Sequence, residues 1–277
     1  MHLSRFSLIV SCSLLVGAGS AFGQEPPAAA PAGSANHPSG GPTYPHLILI
    51  DLRDVLESPL SWQSRQWELF GLSVAGIGAV GLLDGRIRDA EARDHNHVVD
   101  QVTHYAEGLG NGGAVGVLGV FYLASLATGD QRSRWVAEDG VAASIIAGVI
   151  LDPAIKVIAG RQRPRDATRT YDFKLFGGGQ SFPSGHATEA FTLASVIASE
   201  YDSPWIKGVS YGGAAIVGFA RVHHRAHFAS DVTAGAILGT AVGRAVVRIN
   251  RTERGKLALA PVSGPHGEPG MAVVVGF

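Results

Sequence analysis

The chain has 277 residues, a formal net charge of −1 and a hydrophobic fraction of 46%. These values suit one large buried core and exclude the concentrated basic surface of a nucleic-acid-binding protein, so no nucleic-acid partner is expected. The single cysteine, Cys12, lies in an N-terminal segment that we expect to be removed. Structural disulfides and zinc–thiolate sites are therefore excluded from the mature chain.

Residues 1–23 have the pattern of a secretory signal peptide. Arg5 supplies the basic start, an apolar run follows, and small residues around Ala21 suit signal peptidase, so we expect cleavage near Gln24. Residues 24–46 are rich in Pro, Ala and Gly and contain almost no large apolar side chains. Such a segment cannot bury enough surface to offset its chain entropy, and it predicts a flexible linker.

Residues 47–253 form the predicted main domain, and their pattern is helical. Apolar runs alternate with charged or Gly-rich connectors, which predicts an all-α bundle of about six core helices. These runs are residues 69–83, 109–129, 140–151, 187–199, 208–220 and 229–243.

Membrane association depends on the length of these runs. Only residues 109–129 reach the roughly 20 residues that a spanning helix needs. The run at 140–151 is expected to end at Asp152 and Pro153, where a fresh helix would begin. Short runs interrupted by charges favour a soluble or peripheral body, while a site at a membrane surface stays open as the alternative.

In the C-terminal residues 254–277, the character of the side chains alternates along two short segments that a turn separates, a pattern typical of a β-hairpin. We expect strands at 257–262 and 271–276, packed as a hairpin or tail against the helices.

Two stretches carry residues suited to anion binding. In KVIAGRQRP, Lys156 lies two helical turns before Arg163, so both cations could point to one site if the helix persists. A solvated basic helix end is the alternative. In SFPSGHATEAF, Ser184, Gly185 and His186 stand at the mouth of an apolar helix, whose free backbone N–H groups can hold an anion. A plain turn before a helix is the alternative there.

The third stretch, ARVHHRAHFASD, contains Arg221, His227 and Asp231. Helical spacing of four would put Asp231 on the same face as His227, where its carboxylate could accept the Nδ1 proton and leave Nε2 free. The same spacing would let His223, His227 and Asp231 hold a metal ion instead. Because the nearby cations would repel a divalent ion, we expect no metal.

Together the three stretches resemble the type 2 phosphatidic acid phosphatase superfamily, which is related to bacterial class A acid phosphatases and vanadium haloperoxidases. The motifs K-x6-R-P, P-S-G-H and R-x5-H-x3-D match in order and spacing, over about residues 140–245. One position departs from the family pattern, since Ala220 stands where the family has a serine before the last arginine. This departure affects the support of the site and removes no catalytic group.

The resemblance implies a role for each matched residue. His227 attacks phosphorus and forms a phosphohistidine, Asp231 orients it, and His186 protonates the leaving alcohol and later activates water. The phosphate would be bound by Lys156, Arg163, Ser184, Gly185 and Arg221. Three fixed cations suit a phosphate monoester, which carries close to two negative charges, and no cofactor is expected.

The predicted function is an exported, metal-independent phosphatase acting on lipid or soluble phosphate monoesters. Its site would be periplasmic or membrane-associated, on the extracytoplasmic side. The alternatives are a vanadium-dependent haloperoxidase, whose chains are usually longer, and a non-catalytic phospholipid-binding membrane protein, against which both histidines argue. The substrate stays open among phosphatidate, an isoprenyl diphosphate, a lipid A phosphate and a soluble ester, and so does the oligomeric state.

The loop between Pro164 and Ser181 is expected to cover the site. The glycines at 177–179 would let it move. Contacts to the organic part of the substrate are expected from its aromatic and basic residues, which are Tyr171, Phe173, Phe176, Arg165, Arg169 and Lys174.

Overall fold

The structure is a computed structural model that describes residues 44–93, 99–101, 103–105, 112–263 and 269–275. The predicted signal peptide, 1–23, and all but the last residues of the predicted linker, 24–46, lie outside the described residues. Within the described residues the regular elements are α1 (Tyr44–Glu57), α2 (Ser64–Gly81), α3 (Asp84–Glu91), α4 (Gly112–Thr128), α5 (Gln131–Ser144), α6 (Asp152–Ala159), α7 (Gly185–Glu200), α8 (Pro204–His223), α9 (Ala229–Lys256), β1 (Leu257–Ser263) and β2 (Pro269–Val275). A 3-10 turn, Ser58–Ser61, follows α1, and a π-helical turn, Ile145–Leu151, joins α5 to α6.

The all-α fold class is confirmed, because the described parts of the predicted apolar runs fall in helices. Local signals explain several helix ends. Asp130 caps α5 by accepting hydrogen bonds from the backbone of Arg132 and Ser133. Gly160 ends α6 in the left-handed conformation, with φ of 55°. The first helix, α1, begins at Tyr44, slightly before the predicted domain start at residue 47.

The expected helix break at Asp152 and Pro153 does not occur. Instead, α5, the π-helical turn and α6 form one continuous helix, Gln131–Ala159. The backbone N–H of Asp152 bonds the carbonyl of Ala147, five residues back. This wider turn accommodates the proline, which has no N–H to donate to the preceding turn.

Membrane association is supported by the lengths of the described helices. Two of them are long and apolar enough to cross a membrane: Gln131–Ala159, with 29 residues and mean hydropathy 2.0, and Ala229–Arg254, with 26 residues and mean hydropathy 1.4. The bent pair α2 and α3 would add a third if it forms one span. The described part of the run at 109–129 is α4, with only 17 residues. These lengths support membrane association over the soluble body that the short runs favour, because residues 140–151 continue through Pro153 as one long helix.

The core lies around α7, which packs against α9 on one side and α8 on another. One cluster joins α5, the π-helical turn, α7 and α9 through residues such as Val136, Ile146 and Val246. Small residues bring α9 unusually close to α7: a Cβ atom at Gly235 would lie 2.6 Å from the Ser184 carbonyl oxygen. This close approach holds the start of α9 beside the start of α7, where two of the motifs lie.

The C-terminal strands β1 and β2 pair antiparallel, in a register from Leu257 opposite Val275 to Ser263 opposite Pro269. The preceding helix α9 continues to Lys256, so the helical part extends past the predicted domain end at residue 253.

Candidate active site

The first two motifs meet at the end of α6. Lys156 donates a hydrogen bond of 2.8 Å from Nζ to the Pro183 carbonyl and forms an ion pair with Asp152. A Cβ atom at Gly185 would lie only 3.4 Å from the same Nζ. Asp152 Oδ2 would lie 3.3 Å from the same Cβ position, so glycine leaves the backbone open beside the Lys156–Asp152 ion pair. Because α6 ends at Ala159, the assumption that one helix carries both cations of the first motif is wrong.

The third motif joins the second through backbone contacts. The Ser184 N–H donates to the Asp231 carbonyl at 3.0 Å, so the turn before α7 is tied to the first turn of α9. The Arg221 carbonyl accepts a hydrogen bond of 3.1 Å from the His227 N–H, which ties the histidine to the end of α8. The structure thus brings the three motifs into one region of the molecule.

His227 is buried, and its ring has a defined tautomer. Nδ1 lies 2.7 Å from the Ser181 carbonyl oxygen, which can only accept, so Nδ1 carries the proton and Nε2 the lone pair. Burial, first of all, lowers the pKa of His227 to about 3; the positive charges of Arg163, Lys156 and Arg221 lower it as well, and the bond to Ser181 opposes the shift. The ring is neutral at physiological pH.

Asp231 does not hold His227 in the predicted way. Its Oδ2 lies 3.9 Å from His227 Nδ1, which is beyond hydrogen-bond distance. The carboxylate accepts instead from the Ser181 hydroxyl at 2.6 Å and from the Phe228 N–H at 2.8 Å, and it pairs with Arg161. Asp231 and Ser181 together therefore orient the ring, with Ser181 making the direct contact.

Arg161 is a buried charged residue of the candidate site that the sequence analysis missed. Its guanidinium is 1% exposed and forms ion pairs with Asp84 at 2.8 Å and with Asp231 at 2.5 Å. It also donates to Ser230 Oγ at 2.7 Å and lies 4.0 Å from the centre of the Phe228 ring. The available signals were weak: Arg161 lies two residues before Arg163 in the first motif, and Asp84 is the first charge after an apolar run.

Three of the residues predicted to bind phosphate are Ser184, Arg163 and Arg221. Among the described residues, the buried Ser184 hydroxyl has no hydrogen-bond partner, which is unusual for a buried polar atom and leaves it available to a ligand. Arg163 is half-buried; burial first, and then the charges of Arg165 and Arg221, lower its pKa. His186 lies in the first turn of α7, where backbone N–H groups point outward.

His223 and His224 pack against neighbouring helical residues. Both ring nitrogens of His223 lie 2.8 Å from carboxylate oxygens, Nδ1 from Glu91 and Nε2 from Asp100. Burial would lower the pKa of His223, but these two carboxylates outweigh it and the pKa is raised. His224 Nε2 bonds the Thr103 hydroxyl at 2.7 Å. Among the residues that the structure describes, no three His, Cys, Asp or Glu side chains are grouped to hold a metal ion, so the alternative set of His223, His227 and Asp231 gains no support.

Ala220, the departure from the family pattern, is fully buried in α8. A hydroxyl at this position would need a hydrogen-bond partner, whereas alanine packs without one.

Comparison with known proteins gives one family and three relatives. Residues 140–254 match the PAP2 superfamily. A lipid A 1-phosphatase from Porphyromonas gingivalis is 33% identical over 112 residues, which are 40% of this chain and 22% of the relative, so the chain matches about a fifth of that protein's length.

Two solved structures are similar. The PAP2 type phosphatidylglycerolphosphate phosphatase from Bacillus subtilis has 19% identity and a TM-score of 0.50, over 67% of this chain and 94% of that chain, and it shares the fold. LpxE from Aquifex aeolicus has 25% identity and a TM-score of 0.47, over 60% of this chain and 93% of that chain.

Proposed function

We propose, on the premise that residues 140–254 match the PAP2 superfamily, that this chain is a membrane-associated phosphatase of lipid phosphate monoesters. The observation that carries the proposal is the state of His227, a buried neutral imidazole whose Nε2 lone pair is available, near three cations. A neutral ring can attack phosphorus, while the cations stabilise the charge on the phosphate oxygens.

The reaction proceeds in two steps. Nε2 of His227 forms a bond to phosphorus as the bond to the leaving alkoxide breaks, and His186 gives that alkoxide a proton. Water then attacks the phosphohistidine, His186 takes a proton from the water, and inorganic phosphate and neutral His227 are released. Three cations bind the phosphoryl group through both steps: Lys156, Arg163 and Arg221. The Ser184 hydroxyl and the backbone at Gly185 bind it as well.

A lipid substrate is favoured by two observations. Two helices long and apolar enough to cross a membrane support membrane association, and the relative from Porphyromonas gingivalis is a lipid A 1-phosphatase. We propose a lipid phosphate as the substrate class, with the phosphate of a lipid A-type glycolipid as the first candidate to assay.

Metal independence and inhibition by vanadate test this proposal. We expect the purified protein to release phosphate from lipid phosphates in excess chelator, because protein cations alone neutralise the phosphate. Vanadate should inhibit, since it adopts the five-coordinate geometry of the transition state. The measurement is phosphate release from a panel of lipid and soluble phosphates, with and without chelator and vanadate. Activity that is lost in chelator and restored by zinc or magnesium would contradict the mechanism.

We also propose that the chain is exported and that its site faces the extracytoplasmic side, because residues 1–23 have the pattern of a signal peptide. N-terminal sequencing of protein purified from membranes should begin near Gln24. A mature chain that starts at Met1 would refute cleavage.

A further inference from the structure

The loop between α6 and α7 exposes an apolar pair that the proposed chemistry does not use. Leu175 is 70% exposed and Phe176 is 67% exposed. Phe176 also has a φ of 57°, in the left-handed region that non-glycine residues seldom occupy. A bulky side chain is held in this conformation only when its surroundings impose it, and such positions cluster at functional sites. We call Leu175 and Phe176 the apolar tip.

The apolar tip is attached firmly to the end of α6. The Phe176 N–H bonds the Ile158 carbonyl at 3.4 Å, and the Lys174 N–H bonds the Gly160 carbonyl at 3.3 Å. A Cβ atom at Gly160 would lie 1.8 Å from the Lys174 carbonyl oxygen, so only glycine permits this contact. Gly179 is packed as closely, with a Cβ position 2.4 Å from the Gly160 carbonyl oxygen. Gly177 and Gly179 therefore serve close packing, whereas a Cβ atom at Gly178 would meet nothing within 4 Å, and the mobility of the loop stays a prediction.

The position of the apolar tip continues the surface of a candidate span. Val149, Val157 and Ile158 lie on the helix Gln131–Ala159, and all three side chains are exposed. Because the Phe176 backbone is hydrogen-bonded to the Ile158 carbonyl, the apolar tip lies next to the end of this helix and its exposed apolar side chains.

Basic side chains flank the apolar tip in the sequence. Lys174 directly precedes it, and Arg165 and Arg169 are exposed earlier in the same loop. Two acidic residues oppose them, since Asp172 lies 3.9 Å from Lys174 and Asp166 lies 3.7 Å from Arg165, so the loop keeps a small excess of positive charge. Exposed apolar side chains flanked by cations are typical of segments that lie in the interface of an anionic bilayer, with the apolar groups below the phosphates and the cations at their level.

We infer that the apolar tip inserts into the lipid bilayer at the end of the span Gln131–Ala159 and acts as an interfacial anchor. Leu175 and Phe176 enter the boundary between headgroups and acyl chains, while Lys174 and Arg169 face lipid phosphates. Arg163 begins the same loop, so the anchor keeps the phosphate-binding cations at the depth where lipid phosphates lie. The insertion does not depend on the proposed phosphatase activity.

Site-specific fluorescence tests the insertion directly. Cys12, the only cysteine of the sequence, is replaced by serine, and single cysteines are introduced as Phe176→Cys or Leu175→Cys and labelled with a polarity-sensitive dye. The matched controls are Thr168→Cys and Gln180→Cys, two exposed polar positions of the same loop. Each full-length protein is reconstituted into vesicles of phosphatidylcholine and phosphatidylglycerol, with and without lipids that carry a quencher in the acyl chain.

We expect several-fold stronger quenching at residues 175 and 176 than at 168 and 180, together with a blue shift of the emission. Equal quenching at all four positions would overturn the inference. The use of two tip positions guards against a single variant that fails to fold, and the melting temperature of each labelled protein is measured alongside.

A kinetic measurement tests the consequence for catalysis, and this part rests on the proposed function. The variant Leu175→Ser, at the tip residue that is not expected to contact substrate, should raise the apparent KM for a lipid phosphate in vesicles by about tenfold. It should leave turnover of a soluble aryl phosphate unchanged. An equal loss on both substrates would contradict an anchoring role. If the wild type hydrolyses neither substrate, the proposed function fails, whereas the quenching result still decides the insertion.

Discussion

Replacement of His227 by alanine should reduce phosphatase turnover by roughly three or more orders of magnitude with every substrate. His227 is the buried neutral imidazole with an available Nε2, and without it no phosphohistidine can form. The measurement is rapid-quench trapping of acid-labile phosphoenzyme from labelled substrate, combined with steady-state rates.

Variants of two other histidines are compared with His227→Ala. His224→Ala is the matched control, because His224 bonds Thr103 and lies in the same stretch, and it should keep both the label and most of the activity. His186→Ala should slow an alkyl phosphate by about a hundredfold or more and an activated aryl phosphate much less, since the aryl leaving group departs without a proton. Label on the His227→Ala protein would refute the nucleophile, and equal losses on both substrates would refute the acid.

Replacement of Arg161 by methionine should destabilise the protein by about 3–5 kcal/mol, because it leaves the carboxylates of Asp84 and Asp231 buried without their cation. Thermal unfolding in detergent should show a melting temperature that is lower by roughly 10 °C or more. Activity should fall with it, since Asp231 and Ser181 lose the arrangement that orients His227.

Two further variants test whether the loss of stability in Arg161→Met comes from its buried ion pairs. Arg169→Met removes an exposed guanidinium from the loop and should melt close to the wild type. Addition of Asp84→Asn to Arg161→Met removes one of the two uncompensated charges and should recover part of the lost stability. A wild-type melting temperature for Arg161→Met alone would show that the buried ion pairs contribute little.

Local signals in the sequence were sufficient to predict the helices and to recognise the motifs. The apolar runs predicted helices because burial of a helix face requires apolar side chains at helical spacing, and Asp130 and Gly160 mark helix ends by their own backbone and side-chain chemistry. The order and spacing of the three motifs identified the family, since each motif is a short segment whose residues act together. Their convergence around His227 followed from the family resemblance rather than from any local rule.

Only the tertiary structure decided which groups contact one another within the site. Spacing by four residues relates two side chains only when one helix carries both, and His227 lies two residues before α9 begins at Ala229. Its Nδ1 therefore bonds the carbonyl of Ser181, which is 46 residues away in the sequence. Arg161 pairs with Asp84 across 77 residues. Such pairs leave no periodic pattern, because the cost of burying a charge is offset by whichever opposite charge the fold brings within reach.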